Sequence, residues 1–234
     1  MLYNPFKSLR KREWTLWIIS LIVVSISIIL SPKLHLPPLA ASLIGVTALI
    51  FVAKGDVWGQ ILSVIFAVLY SITSFEFRYY GEMITYLGMT APIALMSVFT
   101  WLKNPYEKGK NEVKIARLSL KQKIWMIILS ILVTTLFYFI LKAFNTPNLF
   151  FSTLSVLTSF LAVYLSLFRS SYYAIAYSLN DIVLIILWIL AAKENPAYTP
   201  MIFCFVMFFV NDIYGFLSWK IREKRQKLNV AKKP

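Results

Sequence analysis

Long apolar stretches alternate with short polar connections along this chain. A run of about 20 apolar residues is the length of an α-helix that crosses a bilayer, and a helix satisfies its own backbone hydrogen bonds in lipid. Eight such runs are predicted as transmembrane helices: residues 14–31, 38–53, 58–75, 83–102, 124–142, 148–168, 172–192 and 198–219. The pattern therefore predicts an all-α integral membrane protein with eight transmembrane helices.

The composition excludes an ordinary soluble domain, and the sequence lacks the residue patterns that are typical of an enzyme active site. Of 234 residues, 59% are apolar and only 15% are charged, and the mean hydropathy is +0.70. Cys204 has no second cysteine to pair with, and His35 lies in a proline-flanked connection and is assigned no chemistry. The sequence contains no recognisable catalytic triad, metal-ligand spacing, P-loop or dinucleotide fingerprint. We therefore predict a protein that is not an enzyme and uses no cofactor or metal.

The net charge of +14 is distributed in a way that indicates topology. Lysine and arginine near span ends stay on the cytoplasmic side of a membrane. With a cytoplasmic amino terminus, eight spans place 20 of these residues inside and 4 outside. We therefore predict both termini in the cytoplasm and a multi-pass protein of the cytoplasmic (inner) membrane. Binding of acidic lipid headgroups or nucleic acid is an alternative role for the basic segments, but topology is the favoured explanation and no nucleic-acid partner is predicted.

Residues 103–123 form the one long polar connection and divide the chain into similar halves. Shifting the sequence by 118 residues brings residues 101–103 near 219–220 and Met83 onto Met201. An amino-terminal helix would then precede three spans, one linker span and three more spans, so both halves cross the membrane in the same direction. Parallel repeats with a site between them are a recurring transporter architecture. The predicted divisions are residues 1–36, 37–103, 104–147, 148–220 and 221–234.

The seventh span carries polar residues at a depth where they are costly. A carboxylate near the bilayer centre costs roughly 2.5–3.5 kcal/mol or more unless it faces protein or water. Tyr177, Asp181, Leu184 and Trp188 fall on one helical stripe, with Asn180 on its flank. A stripe of aromatic, amide and carboxylate groups that faces inward is suited to a polar ligand with a flat ring.

A second Asn-Asp pair, Asn211 and Asp212, repeats this feature in the eighth span. Hydrogen bonds between helices are the alternative role for both pairs, and water could reach Asp212 because the predicted span ends two turns later, at residue 219. Trp58 and Gln60 begin the third span, where Trp58 could instead be an interfacial aromatic residue. The complete predicted substrate-binding set is Trp58, Gln60, Tyr177, Asn180, Asp181, Trp188, Asn211 and Tyr214.

The fourth span contains a carboxylate and a proline that need an explanation. Glu82 lies at its outer end with Arg78 one turn before it, and we expect a solvated local ion pair. Pro92 should kink or break the helix because it has no backbone N–H, with or without a role in binding.

Four motifs together resemble the PnuC family of vitamin transporters: WGQILS at residues 58–63, YYGEM at 79–83, WLKNP at 101–105 and NDIYGFLSWK at 211–220. The resemblance extends from about Lys54 to Lys220. It implies a fold similar to the SWEET sugar transporters, a homotrimer, and facilitated uptake of nicotinamide riboside that is trapped by phosphorylation in the cytoplasm. Relatives carry thiamine, riboflavin or deoxynucleosides.

One departure bears on the substrate. The nicotinamide riboside branch of this family has a W-x-x-x-N signature in the seventh span; Asn180 matches its asparagine, but Ala176 occupies the tryptophan position. We expect import of nicotinamide riboside, with a related vitamin or nucleoside as the alternative. Proton coupling through Asp181 or Asp212 is a second hypothesis, and an intramembrane enzyme or assembly protein acting on lipids is a third.

Overall fold

The structure is a computed structural model that describes residues 3–31, 36–107 and 110–231. Within these ranges, eight helices are long and apolar enough to cross a membrane. They are α1 (Lys11–Ile29), α2 (Leu36–Ala53), α3 (Val57–Glu76), α4 (Tyr80–Leu102), α5 (Leu120–Ala143), α6 (Leu149–Leu167), α7 (Tyr173–Glu194) and α8 (Thr199–Ala231). The predicted fold class and number of spans are confirmed. His35 lies outside the described residues.

Six of these helices form a closed ring. Each packs against the next in the order α2, α3, α4, α6, α7, α8, and α8 returns to contact α2. The helices α1 and α5 lie outside the ring: α1 packs on α2 and α8, while α5 packs mainly on α6. Both outer helices expose most of their apolar side chains, which in a bilayer would face lipid. The centre of the ring is therefore where an enclosed site can form.

The two ends of the ring differ in charge. The helices α1, α3, α5 and α7 begin at one end, where Lys54, residues 103–107 and 110–119, and Arg169 also lie; we call this the basic end. The helix α8 continues past the predicted end of its span to Ala231. Its extension is held by the polar connection, since Arg222 bonds Glu112 at 2.8 Å and Gln226 donates to the Val113 carbonyl at 3.1 Å. These contacts support the part of α8 that follows the predicted span, whose end at residue 219 stays a prediction.

Two tryptophans make reciprocal contacts at the basic end. Trp219 Nε1 donates to the Val52 carbonyl at the end of α2, at 2.8 Å, and Trp101 Nε1 donates to the Ser166 carbonyl at the end of α6, at 3.0 Å. Their rings lie 5.5 Å apart. The two helices α2 and α6 hold the same place in the two predicted halves, so a twofold relation would produce such a pair of contacts. The parallel repeat and its boundaries remain a prediction.

The helix α4 is interrupted near its middle. It consists of an α-helical part, Tyr80–Thr85, a π-helical segment, Tyr86–Thr90, and a second α-helical part, Ala91–Leu102. The Ala91 amide donates to the Tyr86 carbonyl five residues earlier. Pro92 offers no amide, so the usual hydrogen bond to the residue four positions before it cannot form. The irregularity predicted at Pro92 thus takes the form of a π segment, a feature common at functional sites.

Candidate functional site

A small cavity lies in the middle of the ring, toward the basic end. Its volume is about 50 Å³, enough for a few water molecules. Five helices line it: Gly45, Ala48, Leu49 and Val52 from α2, Gln60, Ser63 and Phe66 from α3, Tyr86, Thr90 and Ala94 from α4, Tyr177, Asn180 and Asp181 from α7, and Phe205, Phe208 and Asp212 from α8. The structure therefore brings four of the eight predicted residues together: Gln60, Tyr177, Asn180 and Asp181.

Asn180 is fixed in its orientation by α6. Its Oδ1 accepts hydrogen bonds from Thr158 Oγ1 and Ser159 Oγ, each at 2.9 Å. Because both bonds use the oxygen, the amide nitrogen is left for other partners, and Asn180 also hydrogen-bonds the side chain of Tyr86. The carboxamide is thus held as a donor at the cavity wall. This placement is also an interhelical tie, so the binding and structural explanations of Asn180 coincide.

Two carboxyl groups lie next to each other in the cavity wall. Asp181 of α7 and Asp212 of α8 are 2% and 3% exposed, and their side chains lie within hydrogen-bonding reach of one another. Asp181 Oδ2 and Thr90 Oγ1 are buried and have no hydrogen-bond partner in the described structure. None of the described residues that line the cavity is lysine or arginine. The site is therefore acidic and has free hydrogen-bonding capacity.

Aromatic rings form much of the remaining wall. Phe66 packs edge-on against Phe208 at 5.2 Å and against Tyr86 at 6.0 Å. Tyr177 adds a ring from α7. Gln60 of α3 also lines the cavity. Its Nε2 donates a hydrogen bond to Ser166 Oγ of α6 at 3.0 Å. Ring faces beside carboxyl groups provide a suitable environment for a flat cation.

The other four predicted residues lie elsewhere. Trp188 is fully buried and donates to Tyr70 Oη at 3.0 Å, farther from the basic end. Asn211 donates to Ser20 Oγ of α1 at 2.9 Å and to the Met207 carbonyl at 2.7 Å. Two more hydrogen bonds fix Tyr214 and Trp58: Tyr214 Oη donates to Glu13 at 3.0 Å, and Trp58 Nε1 donates to the Tyr3 carbonyl at 3.1 Å. Neighbouring side chains turn Asn211 and Tyr214 away from the cavity, whereas Trp188 lies farther along α7 than the residues that line it.

Glu82 corrects another expectation. It is 1% exposed, and its Oε1 accepts a hydrogen bond from Ser155 Oγ of α6 at 2.8 Å. Arg78 is exposed in the turn that precedes α4, with a left-handed backbone at φ 58°. The expected solvated pair was wrong because α6 covers Glu82. Asp212, which water was expected to reach, is likewise buried, because it faces the central cavity.

Aromatic clusters close the ring on both sides of the cavity. Toward the basic end lie Trp101, Trp219 and Tyr173, with the rings of Tyr173 and Trp219 4.7 Å apart. On the opposite side, Trp188 packs against Tyr79 at 5.0 Å and lies near the rings of Tyr70, Phe77 and Tyr198. A solute in the cavity would have to pass one of these clusters to leave.

The charged groups near the turn between α2 and α3 are partly paired. Lys54 bonds Glu13 at 2.9 Å and the Ser8 carbonyl at 2.5 Å. Burial lowers the pKa of Lys54, and Glu13 opposes that effect. Burial also raises the pKa of Asp56, although the Trp58 amide and Asn111 favour its charged form. These groups tie the α2–α3 turn to α1 and to the polar connection.

Sequence reasoning missed most of the aromatic wall. Phe205, Phe208 and Asp212 lie at i, i+3 and i+7 on one face of α8, but a phenylalanine in an apolar run does not differ from a lipid-facing one. Tyr86 and Thr90 are the first and last residues of the π segment, and the nearby Pro92 was the available signal. Sequence reasoning also missed a row of hydroxyl groups on α6, which donate hydrogen bonds to Glu82 (from Ser155) and to Asn180 (from Thr158 and Ser159).

Comparisons with known proteins identify the family. The sequence profile described as "Nicotinamide mononucleotide transporter" matches residues 35–221. The chain is 25% identical over 228 residues to the nicotinamide riboside transporter PnuC of Neisseria mucosa, covering 92% of this chain and 86% of that one. It is 26% identical over 183 residues to the PnuC of Haemophilus influenzae, covering 77% of each.

A solved structure has the same fold. The crystal structure of the vitamin B3 transporter PnuC superposes with a TM-score of 0.79 at 23% identity, covering 93% of this chain and 94% of that chain. These matches confirm the family that the four sequence motifs suggested. The chain therefore belongs to the nicotinamide mononucleotide transporter family and is a PnuC-type membrane transporter, not an enzyme.

Proposed function

We propose that the protein carries nicotinamide riboside across the membrane through the central cavity. The observation that carries this proposal is the charge of the site: Asp181 and Asp212 line it, and no described lining residue is basic. Nicotinamide riboside has a pyridinium ring with a positive charge, which carboxylates and aromatic faces attract. The mononucleotide adds a phosphate that would be desolvated beside two carboxyl groups, so the riboside is the better match.

The lining residues have distinct roles in this proposal. Asn180 and Gln60 hydrogen-bond the carboxamide or ribose, and Tyr177 offers a ring face to the pyridinium. Stacking on an aromatic side chain contributes roughly 1–3 kcal/mol in nucleic-acid sites. Asp181, whose Oδ2 lacks a partner, supplies charge complementarity. Tyr177 and the wall formed by Phe66 and Phe208 take the place of the tryptophan that the sequence lacks at Ala176.

Transport requires the cavity to change size and access. Ligand pockets are typically about 300–1,000 Å³, while this one is about 50 Å³ and lies between two aromatic clusters. We infer that the two halves of the ring move relative to one another, opening one cluster at a time. In this proposal uptake is facilitated diffusion, with phosphorylation in the cytoplasm trapping the substrate. The termini face the cytoplasm, the membrane is the inner one, and the protein is a homotrimer.

Calorimetry on the detergent-purified protein tests the substrate. We expect nicotinamide riboside to bind and nicotinamide mononucleotide to bind at least about tenfold more weakly, since one unfavourable charge contact of about 1.4 kcal/mol has that effect. Thiamine, which is also cationic, riboflavin and a deoxynucleoside complete the panel. Stronger binding of the mononucleotide than of the riboside would contradict the charge argument. If thiamine binds and nicotinamide riboside does not, thiamine is the substrate of this site.

Proton coupling is a second candidate because Asp181 and Asp212 adjoin. A hydrogen bond between two carboxyl groups needs a proton on one of them, so the pair can hold a proton that crosses the membrane together with the substrate. In vesicles with the membrane potential clamped at zero, symport of one proton would accumulate substrate up to about tenfold for an inward gradient of one pH unit. Facilitated diffusion would stop at equal concentrations. In the coupled case, Asp212→Asn should abolish the accumulation but not equilibration.

A further inference from the structure

A second cavity lies at the basic end, on the outer surface of the ring. It is a groove of about 840 Å³ between the start of α5, the turn that joins α6 to α7, and the extension of α8. We call it the basic groove. Its cationic residues are Arg117, Lys123, Lys220, Lys224 and Lys227, and it contains one acidic residue, Glu223. It is separate from the central cavity, with which it shares no lining residue.

The basic groove has an excess of positive charge. Glu223 accepts hydrogen bonds from Ser171 Oγ at 2.8 Å and from Arg117 Nε at 3.2 Å, and it also pairs with Lys227 and, at 3.7 Å, with Lys220. One carboxylate thus forms ion pairs with three cations. Lys123 and Lys224 are exposed and have no ion pair in the described parts of the chain. An anion in the groove would find at least two cations free to bind it.

One part of the basic groove is lined by apolar side chains, and we call it the apolar floor. Leu118, Met126, Ile127 and Leu165 line it one to two turns from the cations, and Ile127 is 56% exposed. The positions of aromatic residues place the groove at the membrane surface: Trp125 is 56% and Tyr172 55% exposed, and Lys220 Nζ lies 3.6 Å from the centre of the Tyr172 ring. Tryptophan and tyrosine are enriched at headgroup depth. A free soluble anion would match the cations but would leave this apolar floor uncovered.

We propose that the basic groove binds an anionic glycerophospholipid, with its phosphate among Lys123, Lys220 and Lys224 and an acyl chain along Met126 and Ile127. Basic pockets between transmembrane helices on the cytoplasmic side are suited to such headgroups. The bound lipid would connect α5 to α8. Because α8 also carries Phe208 and Asp212 of the central cavity, the lipid would restrain a helix that lines the transport site.

Binding measurements on the full-length purified protein test this proposal. The probes are dioctanoyl-phosphatidylglycerol and dioctanoyl-phosphatidylcholine, both titrated below their micellar range, and inorganic phosphate at matched concentrations. Thermal unfolding and intrinsic fluorescence are the readouts. We expect binding and a raised melting temperature with phosphatidylglycerol only. Equal binding of phosphatidylcholine would mean that the apolar floor alone is occupied, and equal binding of phosphate would mean a site for a soluble anion; either result overturns the proposal. These arms use the unmodified chain and do not depend on any variant folding.

A pair of double variants separates the groove from general charge attraction. Lys123→Gln with Lys224→Gln removes the two unpaired cations of the groove. Lys7→Gln with Lys11→Gln removes the same charge elsewhere on the basic end. Since each lysine near a membrane surface contributes about fivefold to binding of acidic lipid, the first variant should bind phosphatidylglycerol about 25-fold more weakly. The second should stay within about threefold of the unmodified protein. Equal losses in both variants would refute a localised site.

Discussion

Replacing Asn180 by alanine should weaken binding of nicotinamide riboside about tenfold to a hundredfold, because a hydrogen-bonding group inside a buried site contributes about 1–3 kcal/mol when its partner is left unsatisfied. The carboxamide is held at the cavity wall by Thr158 and Ser159, so it does not need to be reoriented when the ligand arrives. Calorimetry on the purified variant would give the change in Kd directly.

Asn211→Ala is the matched control for this experiment. It removes the same carboxamide from the other Asn-Asp pair, but Asn211 bonds Ser20 of α1 and the Met207 carbonyl and does not line the cavity. The Kd of this variant for nicotinamide riboside should stay within about threefold of that of the unmodified protein. Its melting temperature should fall because the interhelical hydrogen bond is lost. If both variants lose affinity equally, Asn180 has no special place in binding. If Asn180→Ala keeps full affinity, the central site assignment is wrong.

Replacing Gly59 by alanine should destabilise the protein more than any other single methyl group added to a described glycine. A Cβ at Gly59 would lie 2.6 Å from Val52 Cγ2 and 2.9 Å from the Phe51 carbonyl carbon, and it would also clash with the Val52 amide nitrogen. Backbone atoms cannot rotate away, so α2 and α3 must separate. Overpacking of this kind typically costs 1–3 kcal/mol. Thermal unfolding in detergent should show a clearly lower melting temperature.

Gly88→Ala is the control for the effect of the methyl group itself. Its Cβ would meet no atom within 4 Å, so its melting temperature should match that of the unmodified protein. The Val52 carbonyl accepts the Trp219 hydrogen bond; movement of α2 in Gly59→Ala should therefore also alter tryptophan fluorescence. Equal melting temperatures for the two variants would show that α2 and α3 do not pack as closely as described.

The sequence predicts the helices well because each is a long apolar run. The apolar pattern does not show that α8 continues as a helix past its predicted span, where Arg222 and Gln226 are satisfied by the polar connection. A pattern along one helix cannot register partners that lie more than 100 residues away. Glu82 is missed for the same reason, since Ser155 belongs to a distant part of the chain.

The site is only half predictable. Tyr177, Asn180 and Asp181 share a face of one helix, and helical periodicity suffices to place them together. Asn211 and Tyr214 look equivalent by depth, yet α1 covers them and turns both away from the cavity. The direction that a helix face points in a ring depends on which neighbours pack on it, and that information is absent from the pattern of one span.

The π segment of α4 has a consequence for how this helix can change in length. An α-helix turns about 100° per residue, and a π segment holds one residue more than the α-helix that it replaces. Deleting one residue from Tyr86–Thr90 would therefore restore a continuous α-helix while Tyr80–Thr85 and Ala91–Leu102 kept their relative orientation, so Glu82 would stay beside Ser155 and Ala94 would keep its place. A deletion within Ala91–Leu102 would instead rotate the residues beyond it by about 100° and separate their side chains from their present neighbours. The extra residue of this span can thus be lost only within the π segment.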